Sequence, residues 1–70
     1  MTPAEALARA RRTAPNVTGN VVREFAGASP EGVAQVAGNL ACLVRDLSGE
    51  DWTAEEVAAL AEGIAGGEGA

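Results

Sequence analysis

The sequence of 70 residues contains no histidine, no lysine and no tyrosine, and it has a single cysteine. A lone cysteine cannot form a disulfide within the chain, and without histidine the usual structural zinc sites are excluded. The same absences remove the ordinary general bases, so neither Cys42 nor Ser29 nor Ser48 has a base to activate it as a nucleophile. The sequence therefore predicts a protein that is not an enzyme and that carries no cofactor or metal.

Long apolar runs are absent as well. No stretch reaches the roughly 18 apolar residues of a transmembrane helix, and the N-terminus lacks the apolar segment of a signal peptide. The free cysteine fits a reducing compartment. All five cations are arginine, and alanine and glycine are abundant, which is typical of a high-GC bacterial or bacteriophage gene. We therefore expect a cytoplasmic protein of bacterial or phage origin that does not associate with a membrane.

A chain of this length forms one domain and buries only about 60% of the surface that it exposes when unfolded. Its apolar side chains suffice for a small helical bundle. With no disulfide or metal to stabilise it, association with another chain is the remaining means of stabilisation.

Two capping boxes mark helix starts. Thr2 and Glu5 bracket a proline at the first helical position, and this helix is expected to run to about Thr13, where the next proline ends it. The second box runs from Thr53 to Glu56 and opens the last helix, which is expected to end near residue 65. Trp52, just before this box, is positioned to pack on Val57 as a hydrophobic staple.

The two middle helices have simpler signals. Asn16 is the predicted cap of a short second helix that ends near Ala26. Ser29 followed by proline opens the third helix, and Gly49 ends it in the left-handed conformation. These signals predict an all-α, four-helix bundle-like domain over residues 1–65, with the third helix, about 30–47, as its central spine. Residues 66–70 are predicted to be a disordered glycine-rich tail.

The third helix has one strongly apolar face. Its members recur in alternating steps of three and four residues, the spacing of a seam between helices. They are Val33, Val36, Leu40, Leu43 and Leu47, and Ala37 and Val44 widen the stripe. This stripe is the predicted core face.

A second face of the same helix carries small residues. Ala34, Gly38 and Cys42 are spaced by four, and Ala41 and Arg45 flank them. A glycine inside a helix costs up to about 1 kcal/mol relative to alanine, so a close approach of another backbone is expected here. That backbone belongs either to another helix of this chain or to a partner protein or second copy; solvent exposure is the third possibility.

Charge divides along the chain. Residues 1–30 carry four arginines and two glutamates, a balance of +2, whereas residues 31–70 carry one arginine and eight acids, a balance of −7; the sum is −5. The acids concentrate in a candidate docking surface for a basic partner, formed by Glu50, Asp51, Glu55 and Glu56. Favourable interaction with the helix dipole is the simpler reason for acids at a helix start.

Helix two, the turn and helix three also resemble the layout of a helix-turn-helix. Arg9, Arg11 and Arg12 are the candidate phosphate contacts of such a protein. However, Gln35 alone on the exposed first turns of helix three could contact a base edge, and the net negative charge opposes binding to a polyanion. Nucleic acid is therefore the less favoured partner.

These patterns favour a small, non-catalytic protein-binding or regulatory module that acts through its helix surfaces. The expected partner is another protein, with a second copy of the chain as one candidate. A degenerate helix-turn-helix nucleic-acid-binding protein is the alternative, and a bacteriophage structural or assembly component is a further one.

Overall fold

The computed structural model describes residues 1–67, and every regular element in that part of the chain is an α-helix. The helices are α1 (Pro3–Thr13), α2 (Pro15–Phe25), α3 (Pro30–Ser48) and α4 (Ala54–Gly66). The longest, α3, packs against each of the other three, and the most extensive contacts in the molecule are those of α4 with α1 and with α3. The predicted all-α bundle with the third helix as its spine is confirmed.

Both predicted capping boxes form. The Thr2 hydroxyl accepts the Glu5 backbone N–H at 3.1 Å, and the Glu5 carboxylate accepts the Thr2 N–H at 2.8 Å. Thr53 and Glu56 repeat these two bonds at the same lengths. Each box satisfies two backbone donors that an uncapped helix would leave without a partner, so the sequence locates these starts to the residue.

The start of α2 differs from the prediction. The helix begins at Pro15, its N-cap is Ala14, and no side chain caps it; Asn16 already lies in the first turn. A proline at the first helical position has the φ angle of a helix and lacks the N–H that would need a cap. Pro15 therefore both ends α1 and starts α2, and the predicted cap at Asn16 is wrong.

The C-terminal end of α4 extends slightly further than expected. Gly66 still belongs to the helix, and Gly67 caps it with a φ of 64°. Close by, the backbone N–H of Gly27 donates to the carbonyl of Ala65 at 3.1 Å, which ties the end of α2 to the end of α4. The rest of the predicted tail, residues 68–70, lies outside the described residues.

The core face of α3 is rotated from the predicted stripe. Val33 and Leu40 are buried and Val36 is half-buried, but Leu43 is 37% and Leu47 is 62% exposed. Ala37 and Val44, at the other edge of the predicted stripe, are buried as expected, and Ala41 completes the buried face. The neighbouring helices lie over the alanine side of α3, where small side chains allow a close approach, so the predicted burial of Leu43 and Leu47 is wrong.

The tightest helix contact lies between α1 and α4. A Cβ atom built on Gly63 would lie 2.9 Å from both Cγ and Cδ1 of Leu7 and 3.0 Å from the Pro3 carbonyl oxygen. Side-chain carbons do not approach so closely, so only glycine allows α4 to lie at this distance from α1. Leu7 and Ile64 are fully enclosed in the resulting core.

Candidate protein-binding surfaces

Arg9 of α1 holds the loop between α3 and α4. Its guanidinium donates to the backbone carbonyls of Asp51 at 2.9 Å and Glu50 at 3.4 Å, and it pairs with the Glu56 carboxylate at 3.4 Å. The same group lies 4.1 Å from the centroid of the Trp52 ring, a cation–π contact. Only 14% of the Arg9 side chain is exposed. One cation thus fixes the loop and the start of α4 against α1.

The three arginines considered for phosphate contacts do not form one exposed cluster. Arg9 is committed to these internal contacts, and Arg11 is half-buried with an interaction of its own. Arg12, at the end of α1, is exposed. A phosphate backbone would therefore meet fewer cations than the sequence suggests.

The four acids of the candidate docking surface divide in two. Glu50, Asp51 and Glu55 are exposed, whereas Glu56 is half-buried and takes part in the capping box. The backbone N–H of Thr53 is the main cause that lowers the pKa of the Glu56 carboxyl, and Arg9 adds to it. Three carboxylates are left to face a partner, and the fourth is structural.

Within residues 1–67, no helix lies over the small-residue face of α3. Ala34, Cys42 and Arg45 are exposed, and Gly38 is half-exposed. A Cβ built on Gly38 would have no atom of another element within 4 Å, so the close internal neighbour is not there. Ala41, grouped with this face in the sequence, is buried in the core instead.

An open groove of about 390 Å³ runs along this face, between α3 and the start of α4. We call it the α3–α4 groove. Its lining residues are Gly38, Ala41, Cys42, Arg45, Asp51, Trp52 and Val57. Ala41 belongs to the core, and Trp52 and Val57 pack against it, which gives the groove an apolar base. Arg45 and Asp51 supply one exposed charge of each sign.

Three of the groove residues were not among the sequence candidates for this face. The sequence places Asp51 in the acidic docking surface, and it pairs Trp52 with Val57 only as a hydrophobic staple at the start of α4. That pairing was the available signal, because it placed two large apolar side chains together beside an exposed helix start. The sequence does not show on which side of α3 the start of α4 lies, and the groove depends on that placement.

The opposite flank of α3 carries a second apolar surface. Leu43 and Leu47, which we call the leucine strip, are exposed on it. Nearer the start of the helix, a cavity of about 250 Å³ lies between α2 and α3, and we call it the Phe25 pocket. Its lining residues are Phe25, Gly32, Gln35, Val36 and Asn39.

Within residues 1–67, no group of three or more cysteine or acidic side chains is arranged to hold a metal ion. Cys42 is a free and exposed thiol. None of the helices in the described part of the chain is long and apolar enough to cross a membrane.

Comparison with protein-family models, with curated proteins and with solved structures gives no match. The functional inference therefore depends on the geometry and chemistry of these surfaces.

Proposed function

We propose that the protein is a small, non-catalytic protein-binding module whose α3–α4 groove receives an apolar side chain of a partner protein. The observation that carries this proposal is the open space over Gly38 beside the half-buried ring of Trp52. A helix face that the fold leaves uncovered, next to an aromatic side chain held in place, is suited to receive a side chain of another protein.

The composition of the groove supports a protein partner. Tryptophan and arginine are enriched among the residues that dominate binding energy at protein interfaces, and Trp52 and Arg45 both line this groove. Because Arg9 stacks on Trp52, the ring is already ordered before binding and loses little freedom when a partner packs on it. The groove is open along Cys42 and Arg45, which are exposed, whereas small-molecule sites enclose most of their ligand.

The surrounding charge favours a partner segment that carries basic residues. Asp46, Glu50 and Glu55 are exposed near this end of α3 and the start of α4, and Asp51 lies in the groove itself. With Arg9 turned inward, the exposed surface here is mainly acidic. A partner segment that presents an apolar side chain between basic residues complements both the groove and its surroundings.

The test uses Gly38→Leu, which directs a side chain into the groove from a Cβ position that has no other element within 4 Å. Gly19→Leu is the matched control, because Gly19 is also a helical glycine and its nearest atom would be the Arg23 guanidinium at 4.0 Å. The wild-type protein and both variants are immobilised, and the proteins that each retains from an extract of the source cell are identified by mass spectrometry. Circular dichroism checks that both variants keep the helicity of the wild type.

A protein retained by the wild type and by Gly19→Leu, lost with Gly38→Leu and released by salt supports the proposal. Salt release is expected because the acidic surface contributes screened charge interactions. Equal retention by all three proteins would show that the groove is not the binding surface. Retention of no protein by any of them would count against a binding function.

A further inference from the structure

The leucine strip and the Phe25 pocket lie on the same flank of α3. At 3.6 residues per turn, Val36, Leu43 and Leu47 fall within a narrow sector of the helix, and Val36 is itself part of the pocket. The pocket lies roughly 16–22 Å along the helix from Leu47, counting from Val36 and Gly32 at 1.5 Å per residue. One flank therefore carries both an exposed leucine and an open pocket, with Phe25 and Val36 in its wall, that is large enough to hold one.

Such a flank is complementary to itself. In a two-fold dimer, a residue that contacts a second residue on the other copy is contacted by that residue's counterpart in turn. If two α3 helices lie antiparallel with the axis near Leu40, Leu47 of each copy reaches Gly32 and Val36 of the other. Leu43 then lies between Val36 and Leu40 of the other copy. Leu43 and Leu47 of each copy both contact the other copy, so the interface is the same seen from either side.

We propose that the protein forms a two-fold dimer in which α3 pairs with α3 of a second copy in antiparallel orientation, each Leu47 entering the Phe25 pocket of the other. This goes beyond the proposed binding function, because the leucine strip lies on the flank of α3 opposite the α3–α4 groove.

The contacts open to Asp46 and Leu47 favour the antiparallel orientation. Asp46 lies beside the leucine strip and is exposed, with Arg45 at 3.3 Å as its present partner. No carboxylate lines the Phe25 pocket, whose polar side chains are the amides of Gln35 and Asn39. Antiparallel pairing brings Asp46 next to these amide donors, which can donate N–H groups to it. Parallel pairing would place Leu47 beside Leu47 of the other copy, leave both pockets empty and keep Asp46 about 16 Å along the helix from Gln35 of the other copy, so it makes neither contact.

The extent of the contact sets the expected affinity. One pair of helices in contact over about four turns buries less than the roughly 800 Å² per partner of a standard interface. The dimer is therefore expected to form at high protein concentration and to dissociate on dilution.

The experiment is sedimentation equilibrium over a concentration series from about 10 μM to 1 mM, the range of weak, dissociating dimers. Leu47→Ser removes the inserted side chain at a position that is already 62% exposed, so the monomer fold is retained. We expect the association constant to fall at least about tenfold, because two buried leucines are lost per dimer. Val17→Ser is the matched control, since Val17 is 43% exposed on α2 and lies about 12 Å along that helix from Phe25.

A second pair of variants tests the orientation. Gln35→Glu places a carboxylate opposite Asp46 of the other copy and should weaken the dimer. Adding Asp46→Lys to the same chain should restore it, because each new glutamate then faces a lysine across the interface. The two positions are about 16 Å apart along one helix, so the rescue cannot arise within one copy.

A monomer mass at every concentration would overturn the dimer, and so would a dimer that Leu47→Ser leaves unchanged. A dimer that is lost with Gly38→Leu and kept with Leu47→Ser would show that the two copies meet through the small-residue face, which also overturns the proposal. Failure of this inference is distinguishable from failure of the proposed function, since retention of a partner depends on Gly38 and dimerisation on Leu47.

Discussion

Gly63 and Gly38 both lie inside helices, and the structure uses them in opposite ways. At Gly63 an added Cβ would collide with Leu7 and with the Pro3 carbonyl, whereas at Gly38 it would meet no other element within 4 Å. The sequence directs attention to Gly38, because Ala34 and Cys42 repeat the small-residue spacing around it. A helical glycine thus marks a close approach only where the fold supplies the second helix.

The same contrast separates two sides of the molecule. On the side of α1 and α4, Gly63 allows close packing and Arg9 connects α1 to the loop before α4 through its carbonyl, carboxylate and aromatic contacts. On α3, by contrast, a Cβ added to Gly38 would meet no other element within 4 Å, and Leu47, on the opposite flank, is 62% exposed. Internal contacts therefore enclose the first side, whereas these two flanks of α3 are open.

Gly63→Ala gives the largest expected effect. Alanine is the better helix former, but its Cβ would overlap Leu7, which is fully buried, and the Pro3 backbone, which cannot rotate away. We expect a loss of roughly 1–3 kcal/mol in the free energy of unfolding, the usual cost of overpacking a core. Urea denaturation followed by circular dichroism measures it, and a variant as stable as the wild type would show that α1 and α4 are not in close contact.

Arg9→Ala should cost about 1–2 kcal/mol, because it removes charge-assisted hydrogen bonds from a mostly enclosed side chain. The Trp52 ring also loses its cation, so its fluorescence emission should change in the folded protein. Arg12→Ala is the control, since Arg12 is exposed at the end of the same helix. Equal melting temperatures for the two variants would refute the structural role of Arg9.

Gly38→Ala should do the opposite of Gly63→Ala and raise the free energy of unfolding by about 0.5–1 kcal/mol, the helix-propensity gain at an open position. Gly19→Ala should give a similar gain for the same reason. Gly38→Ala and Gly63→Ala should therefore change the free energy of unfolding in opposite directions. Destabilisation at Gly38 would mean that another helix of the chain covers the groove.

The smallest effect concerns the pH dependence at the start of α4. The Thr53 N–H and Arg9 hold the pKa of Glu56 below its ordinary range in the folded protein, so the unfolded chain takes up this proton first as the pH falls. The stabilisation is complete at neutral pH and is lost below about pH 4.5, as the pH falls through the folded pKa.

Glu56→Gln tests that sign. Its melting temperature should lie below that of the wild type at pH 7, and the two should converge as the pH falls through the folded pKa of Glu56, because both side chains are then neutral. Glu55→Gln, at the exposed neighbouring position, should keep the wild-type decline. A constant difference between wild type and Glu56→Gln at every pH would show that charge at this position does not contribute.

Local signals explain how much of the fold could be predicted. Thr2, Ser29 and Thr53 each bond to a backbone N–H three residues ahead, so the information for these starts lies within one turn of chain. The same scale of reasoning failed at α2, where Asn16 and Pro15 offered competing starts and the proline prevailed. The candidate site was predicted in part, because Gly38 and Cys42 of the small-residue face do line the groove. Its other wall, with Trp52 from the loop after α3 and Val57 from α4, depends on how those segments fold back against α3.

The sequence by itself determined the number of helices, their order and nearly all of their ends, because capping and proline geometry act between residues a few positions apart. Only the tertiary structure decided which side of each helix is buried. The predicted apolar stripe of α3 has Leu43 and Leu47 at one edge and Ala37 and Val44 at the other, and periodicity alone does not show which edge is buried. The choice depends on where α1 and α4 cross α3, and the close approach at Gly63 fixes how α1 and α4 lie against each other.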